Sequence, residues 1–293
     1  MKTIIIGGGI SGLIALYYIK DSILITPEIG GQFNSSILQG PRYLYDVKEN
    51  RKLLQDLKIK VKKEVVKVGY FYNNNLYHTT TKQLLRRYAN ITHRKLTPST
   101  MNGGKNYINI LDVDINKVIS KIYKVCSKRI YFDKVKRIIV DENTIITEKG
   151  TTFIYHRLVN TIARDIFEEL CGYKSKRKYF RSCYFSHIIF KDDCYNKLFK
   201  SCDFIYVIDR KFLFHRLFKN KNDIIVESLG ELKNNNLYKV INFKKLDRCK
   251  LISQNINKFK RKNILHLGRF ASVNPKTKIH HTIEEIRKWI FGN

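Results

Sequence analysis

The chain has 293 residues, enough for one large domain or two interlocked ones with an ample core. Hydrophobic content of 43% with four prolines excludes a disordered tail, and six scattered cysteines without a Cys-x-x-Cys pair exclude zinc-ribbon and dithiol redox spacings, which sets the cytoplasm as the expected compartment. Lysine and arginine outnumber the acids 56 to 25, for a net charge of +31; either a polyanion partner or a lysine-rich compositional bias accounts for it.

Taken in order, Lys2 to Ile6 is a short apolar run, followed at once by Gly7-Gly8-Gly9-Ile10-Ser11-Gly12. Leu13 to Ile19 reads as a helix, and Ser22 to Thr26 as a second strand ending at Pro27-Glu28-Ile29-Gly30-Gly31-Gln32. Strand, glycine turn, helix and strand in this order form a dinucleotide-binding unit. Gly7 allows the tight turn, Gly9 lets backbone approach a pyrophosphate, and Gly12 lets helix and strand pack closely. The helix N-terminus supplies N–H groups and partial positive charge to the phosphates. Glu28, sixteen residues beyond Gly12, stands where an acid takes a ribose hydroxyl. A signal peptide or membrane span is the competing reading, because Met1-Lys2 precedes a long apolar stretch. It is rejected because Thr3 to Ile19 holds four glycines and a serine, is shorter than a usual span, and has no small-residue cleavage site.

Residues 34–42 read as loop, with Gly40-Pro41 as its turn, and Asp46 to Leu57 as helix. Val61 to Val68 and Tyr70 to Tyr72 read as two strands, and a basic helix is expected from Lys82. After a loop at 98–104 comes a helix over Ile115 to Cys126. Short strands follow at Arg129 to Val135, Arg137 to Val140, Thr144 to Glu148, Phe153 to Tyr155 and Arg157 to Thr161. The stretches 179–190, 204–208, 212–218 and 223–228 are extended and aromatic. Leu246 to Phe259 is expected to be helical, Asn263 to Leu267 a strand beside the first one, and Thr282 to Ile290 a closing helix. The fold class is therefore α/β, with a discontinuous Rossmann-like cofactor part over 1–58, 99–168 and 257–293. An antiparallel β-rich substrate part occupies 59–98 and 169–256.

Four landmarks in this order resemble the two-domain flavoproteins that include amine oxidases, protoporphyrinogen oxidase and UDP-galactopyranose mutase. They are Ile4 to Leu13, Ile29-Gly30-Gly31-Gln32, Gly103-Gly104 followed by Leu158-Val159-Asn160-Thr161-Ile162, and Leu267-Gly268-Arg269-Phe270-Ala271. The resemblance implies an FAD-binding Rossmann-like domain. FAD would meet Gly7, Gly9, Ile10, Ser11, Gly12, Glu28, Gly31, Gln32, Thr161, Gly268, Arg269 and Phe270, and Val135 would neighbour the adenine. No second glycine fingerprint marks a separate nicotinamide domain, so hydride comes from the substrate or a transient partner.

Gly40-Pro41-Arg42-Tyr43 stands where the mutase resemblance places a histidine near the flavin. Arg42 stays protonated and is no titrating base, but it suits an anion or the reduced flavin. Arg42, Tyr43 and Arg216 are the candidate catalytic residues. Arg216 lies in Phe212-Leu213-Phe214-His215-Arg216, where strand alternation puts His215 on the opposite face. His280-His281 is a weaker acid–base candidate, and no metal site is expected. The expected activity is an FAD-dependent oxidoreductase of the amine-oxidase type on a small anionic or amine substrate. Alternatives are a flavin-dependent mutase acting on a nucleotide sugar, an FAD enzyme modifying nucleic-acid bases, and a non-catalytic binding module. A nucleic-acid partner is raised by the charge and by the clusters at 60–63, 174–177 and 258–262. No membrane partner is expected.

Overall fold

The computed structural model describes residues 2–33, 43–92, 105–173, 180–220, 223–251, 261–274 and 277–292. The first part of the chain runs β1 (Thr3–Ile6), α1 (Ile10–Tyr18), β2 (Ser22–Thr26), β3 (Leu44–Tyr45) and α2 (Lys48–Asp56). It continues through β4 (Lys62–Tyr72), β5 (Asn75–Tyr77), α3 (Lys82–Ile91), β6 (Tyr107–Asp112), α4 (Ile115–Cys126), β7 (Ile130–Phe132) and β8 (Val135–Ile139). Then come β9 (Thr144–Thr147), β10 (Thr152–Ile154), β11 (Arg157–Asn160), α5 (Arg164–Leu170), β12 (Phe180–Phe190) and α6 (Asp193–Asn196). The last elements are β13 (Phe204–Val207), β14 (Phe214–Asn220), β15 (Asp223–Ser228), β16 (Tyr238–Leu251), β17 (Ile264–His266) and α7 (Ile279–Phe291).

β1 is apolar along its whole length because both of its faces are covered. Ile5 meets the helices α1, α4 and α7, while Ile4 and Ile6 face a small antiparallel sheet and α5. The five-stranded parallel sheet has the order β17-β11-β1-β2-β7, and the small sheet is β10-β9-β8. β11, not β17, lies against β1, so the last strand closes one position further out than expected. α1 is buried from Gly12 through Leu16 between the sheet and its neighbouring helices.

The second half is a nine-stranded sheet of order β16-β12-β15-β14-β13-β4-β6-β3, with β5 paired to β4. It is antiparallel except where β13 runs parallel to β4. One face carries Tyr70, Tyr206 and Phe218 under Tyr88 of α3; the other carries Phe71, Ile205, Phe214 and Tyr238. Leu44 and Leu111, from its β3–β6 end, enter the core around α1, and this packing joins the two halves.

Several expectations are corrected. Residues 62–72 form one strand, not two, because Gly69 keeps its extended pairing with Ile205. Residues 246–251 continue β16 along β12 instead of starting a helix, the long cross-strand ladder overriding their local pattern; residues 252–259 lie outside the described residues. β6 and α5 were not anticipated, and β6, from the segment assigned to the cofactor part, pairs in the large sheet. Cys183 is disulfide-bonded, while Cys126, Cys171 and Cys202 are free. Among the described residues no helix is long and apolar enough to cross a membrane.

One arginine secures the end of α1. The Arg129 guanidinium donates to Leu16 O at 2.7 Å and to Ile19 O and Lys20 O at 2.9 Å each. These are carbonyls that a helix C-terminus leaves without intrahelical partners. Arg129→Ala is expected to lower unfolding free energy by about 2 kcal/mol, the scale of charged hydrogen bonds left unmade. Urea denaturation of the two proteins reads the difference, and an unchanged midpoint would refute this capping role.

Candidate functional site

Four chain segments converge on the first turn of α1. A Cβ on Gly12 would overlap Gly7 O, so only glycine lets the helix sit this close to the strand end. The Thr161 hydroxyl locks the same turn, donating to Ile6 O at 2.7 Å and lying 3.0 Å from Gly7 O. From the β2 side, Gly30 N donates to Gly8 O at 2.9 Å, and a Cβ on Gly31 would come within 3.2 Å of the Gly9 Cα. From β17, Gly268 at φ +86° passes so close to Ser11 that any side chain would strike the Ser11 hydroxyl.

Gly9 is different. It caps α1 with no side-chain hydrogen bond, and a Cβ there would meet nothing within 4 Å. The first N–H groups of a helix have no intrahelical partner, so this end presents donors and partial positive charge to open space. Of the residues proposed for cofactor contact, Gly7, Gly9, Ile10, Ser11, Gly12, Gly31, Thr161 and Gly268 are thus gathered here. Glu28 is exposed just past β2, Gln32 is exposed in the 3-10 turn Gly31–Phe33, and Arg269 is exposed beyond the Gly268 turn. Phe270 is half-buried against Phe180, and its carbonyl accepts from Arg164 N at 3.2 Å.

Val135 follows the point where the chain leaves the parallel sheet, with Asp133 N bonded to Thr26 O. It is buried in the core and pairs with Thr147 across the small sheet. Burial works against the charge of the neighbouring Asp133. Hydrogen bonds from Thr147 and from the backbone of Lys134 and Lys149, with the Lys149 charge, nevertheless hold it below the ordinary carboxylate value.

Behind Gly268, the buried Arg164 and Glu168 form an ion pair at 2.8 Å, and Asn160 Nδ2 lies 3.0 Å from His266 Nδ1. Burial, then the charge of Arg164, lowers the His266 pKa to about 3. An unfolded histidine titrates near 6.5, so between these values the unfolded chain binds the extra proton. Stability contributed by neutral His266 is therefore complete above about pH 6.5 and lost as pH falls toward 3. His266→Gln is expected to flatten the loss of unfolding free energy between neutral pH and about pH 4, measured by urea titration. An unaltered slope would show that His266 does not couple to folding.

The large sheet brings a second constellation to its α3-covered face. Arg216 Nη1 is 3.0 Å from Glu227 Oε2, its Nε donates to Tyr88 Oη at 3.0 Å, and its guanidinium sits 5.4 Å from the Tyr206 ring centroid. His215 Nε2 is 3.3 Å from Glu227 Oε1. His215 and Arg216 therefore share one face, contrary to simple alternation. A β-bulge in β14 lies between Phe214 and Arg216, so both residues oppose the single Glu227 of β15. Burial works against the Arg216 charge, but Glu227, Tyr88 and Tyr206 hold its pKa well above the usual value.

Tyr43 and Tyr45 line the same face where the halves meet. Burial raises the Tyr43 phenol strongly, with Asp203 and Tyr45 adding to it, so Tyr43 is a neutral donor at physiological pH. Burial also raises Tyr45, opposed by the charges of Arg269 and Arg216. The His280 ring lies edge-on to Tyr45 at 6.0 Å, while His281 Nδ1 accepts from Lys278 N at 3.1 Å and so caps α7. Arg42, Gly103 and Gly104 lie outside the described residues, as do 174–177 and 258–260. Among the described residues no three His, Cys, Asp or Glu side chains are grouped to hold a metal.

Glu227 was missed by sequence reasoning. It shares the inward face of Asp223–Ser228 with Ile225, and an acid at a core position of a strand was the available signal. Glu227→Ala is expected to cost about 3 kcal/mol of stability, the scale for removing one partner of a buried charge pair. Calorimetric unfolding checks it, and a cost near zero would show that the triad is not held by Glu227.

By sequence, no protein-family model and no curated protein matches the chain. Its fold does match solved structures. It superposes on reduced UDP-galactopyranose mutase with TM-score 0.70 at 12% identity, over 100% of this chain and 96% of that one. An oxidoreductase from Methanosarcina mazei gives 0.64 at 9% identity over 100% of both chains. Putrescine oxidase bound to putrescine gives 0.53 at 8%, over 79% of this chain and 76% of that one. The chain thus has the two-part α/β fold of these enzymes, a parallel Rossmann-like sheet joined to a β-rich sheet.

Proposed function

We propose that this chain is an FAD-dependent oxidoreductase of the amine-oxidase type. The observation that carries this reading is the convergence of four segments on the first turn of α1, where, among the described residues, a Cβ on Gly9 would meet nothing within 4 Å. The residues there fit a flavin dinucleotide. Ile10, Ser11 and Gly12 N–H groups would hold the pyrophosphate and Glu28 the ribose, with Val135 neighbouring the adenine.

Bound there, FAD supplies an acceptor for a hydride from a substrate C–N or C–C bond. The chain's own residues do the rest. Arg269, one residue past the turn against Ser11, supplies fixed positive charge where negative charge gathers on reduction; Arg42 is assigned the same task. Tyr43 and Tyr45 wall the substrate space and donate hydrogen bonds from neutral phenols. Arg216 orients Tyr88 and carries no unbalanced charge, since Glu227 neutralises it. A small amine or weakly anionic substrate suits such a face better than a strongly anionic one.

A flavin-dependent mutase acting on a nucleotide sugar is the second reading, favoured by the near end-to-end superposition on the mutase. Anaerobic mixing separates the two, because an oxidised substrate bleaches the flavin absorbance while a rearranged one leaves it unchanged.

Purified protein is expected to be yellow and to release FAD on heating, near one per chain. Gly9→Ala, with φ −69° and no close neighbour, is expected to fold with wild-type stability yet lose its FAD. Absorbance and thermal melting measured on the same samples check this. A colourless wild type that takes up no added FAD would overturn the proposal.

A further inference from the structure

The flavin reading does not use the net charge of +31, and one helix concentrates it. α4 turns Ile115, Val118, Ile119, Ile122 and Cys126 into the core around α1. Its opposite side carries Lys117, Lys121 and Lys124, and Lys128 continues the line in the 3-10 turn Ser127–Arg129. All four are exposed. Spacings of four, three and four residues keep them in one stripe about 16 Å long, at 1.5 Å per residue. No acidic residue occurs between 115 and 132, and Asp114 at the helix start is occupied in capping, accepting from Asn116 N at 2.9 Å. Among the described residues none of the four ammonium groups forms an ion pair. Two apolar side chains flank the stripe in the open, Tyr123 and Val125, the latter 64% exposed.

We infer that this face of α4 is a docking surface for the phosphodiester backbone of a nucleic acid. Regularly spaced cations without local counter-charge release condensed counterions when they meet a polyphosphate, and this drives binding independently of base sequence. The tyrosine beside them suits contact with a sugar or an unstacked base. An anionic membrane is the competing polyanion surface. A membrane-binding amphipathic helix inserts its apolar face, however, and that of α4 is already buried against α1. The surface is separate from the glycine turns, since α4 covers a face of the parallel sheet and the turns lie at its strand ends. Its role is to bring the enzyme to a nucleic acid or hold it there, whatever the flavin acts on.

The test uses the full-length protein with short labelled DNA and RNA duplexes and fluorescence anisotropy across about 50 to 200 mM salt. A variant with Lys117, Lys121, Lys124 and Lys128 changed to Gln is compared with one changed at Lys219, Lys233, Lys239 and Lys245. The control lysines are also exposed and lie on or beside the large sheet. The stripe variant is expected to lose on the order of 100-fold in affinity at low salt, with a log–log salt slope reduced by about 3, while the control stays near wild type. Lys121→Gln with Lys124→Gln is expected to give about half that slope change. Equal flavin content and melting temperature in all variants confirm that folding is not the cause. Equal losses in stripe and control variants, absence of duplex binding at low salt, or binding to phosphatidylserine vesicles but to neither duplex would each overturn the inference.

Discussion

The structure depends on the contact between the first turn of α1 and the end of β1. Because Gly12 lacks a side chain, the helix axis can approach until its backbone meets the Gly7 carbonyl. Everything else at the site takes its position from that approach. Thr161 reaches Ile6 and Gly7 from β11, Gly31 abuts Gly9 from β2, and Gly268 crosses Ser11 from β17. Three parallel strands deliver these segments in register, through β1–β11, β1–β2 and β11–β17 pairing. Residues more than 250 positions apart in sequence thereby meet within one helical turn. Among the described residues, a Cβ on Gly9, at the positive end of the α1 dipole, would meet nothing within 4 Å.

The second half depends on a different local device. Alternation along β14 would separate His215 from Arg216, and the bulge cancels that separation. Its effect is to place two basic side chains on one buried carboxylate under a roof of tyrosines. Burial of a lone guanidinium would be prohibitive, so Arg216 and Glu227 are each retained only because the other is present. The result is a polar but electrically balanced wall, unlike the unpaired arginine that a reading of the strand alone implies.

Legibility from sequence followed the range of the interactions involved. The β1–α1–β2 unit was plain because its glycines, apolar runs and acid are contiguous, and the later landmarks at Thr161 and Gly268 stand in fixed order after it. Residues 246–251 were misread because their strand character comes from β12, some sixty residues earlier, and not from their own pattern. β6 escaped because its alternation, Ile108 and Ile110 inward with Tyr107 and Asn109 outward, breaks at the buried Leu111. The bulge left no local mark at all, since Phe214-His215-Arg216 is an ordinary strand triplet until its partner is known. The lysine stripe, by contrast, was legible at Lys117, Lys121, Lys124 and Lys128. The clusters at 60–63, 174–177 and 258–262 are contiguous runs, whereas a helix face is spaced by three and four.

The distribution of acids explains why the surplus charge has to lie outside. Several of the 25 acidic residues are committed to structural tasks. Glu168 and Glu227 are buried on Arg164 and Arg216, and Asp133 is held largely by backbone N–H groups and Thr147. Asp114 caps α4, and Asp203 accepts from Lys67 N. An acid held at such a fixed position acts only on the cations near it, as Asp133 does on Lys149. On α4 the inner face needs no charge, and the outer face has no acid within reach. The fold therefore concentrates positive potential on an ordered helical ridge, and a ridge of fixed, evenly spaced charge interacts with an ordered polyanion more strongly than the same charge scattered over a surface.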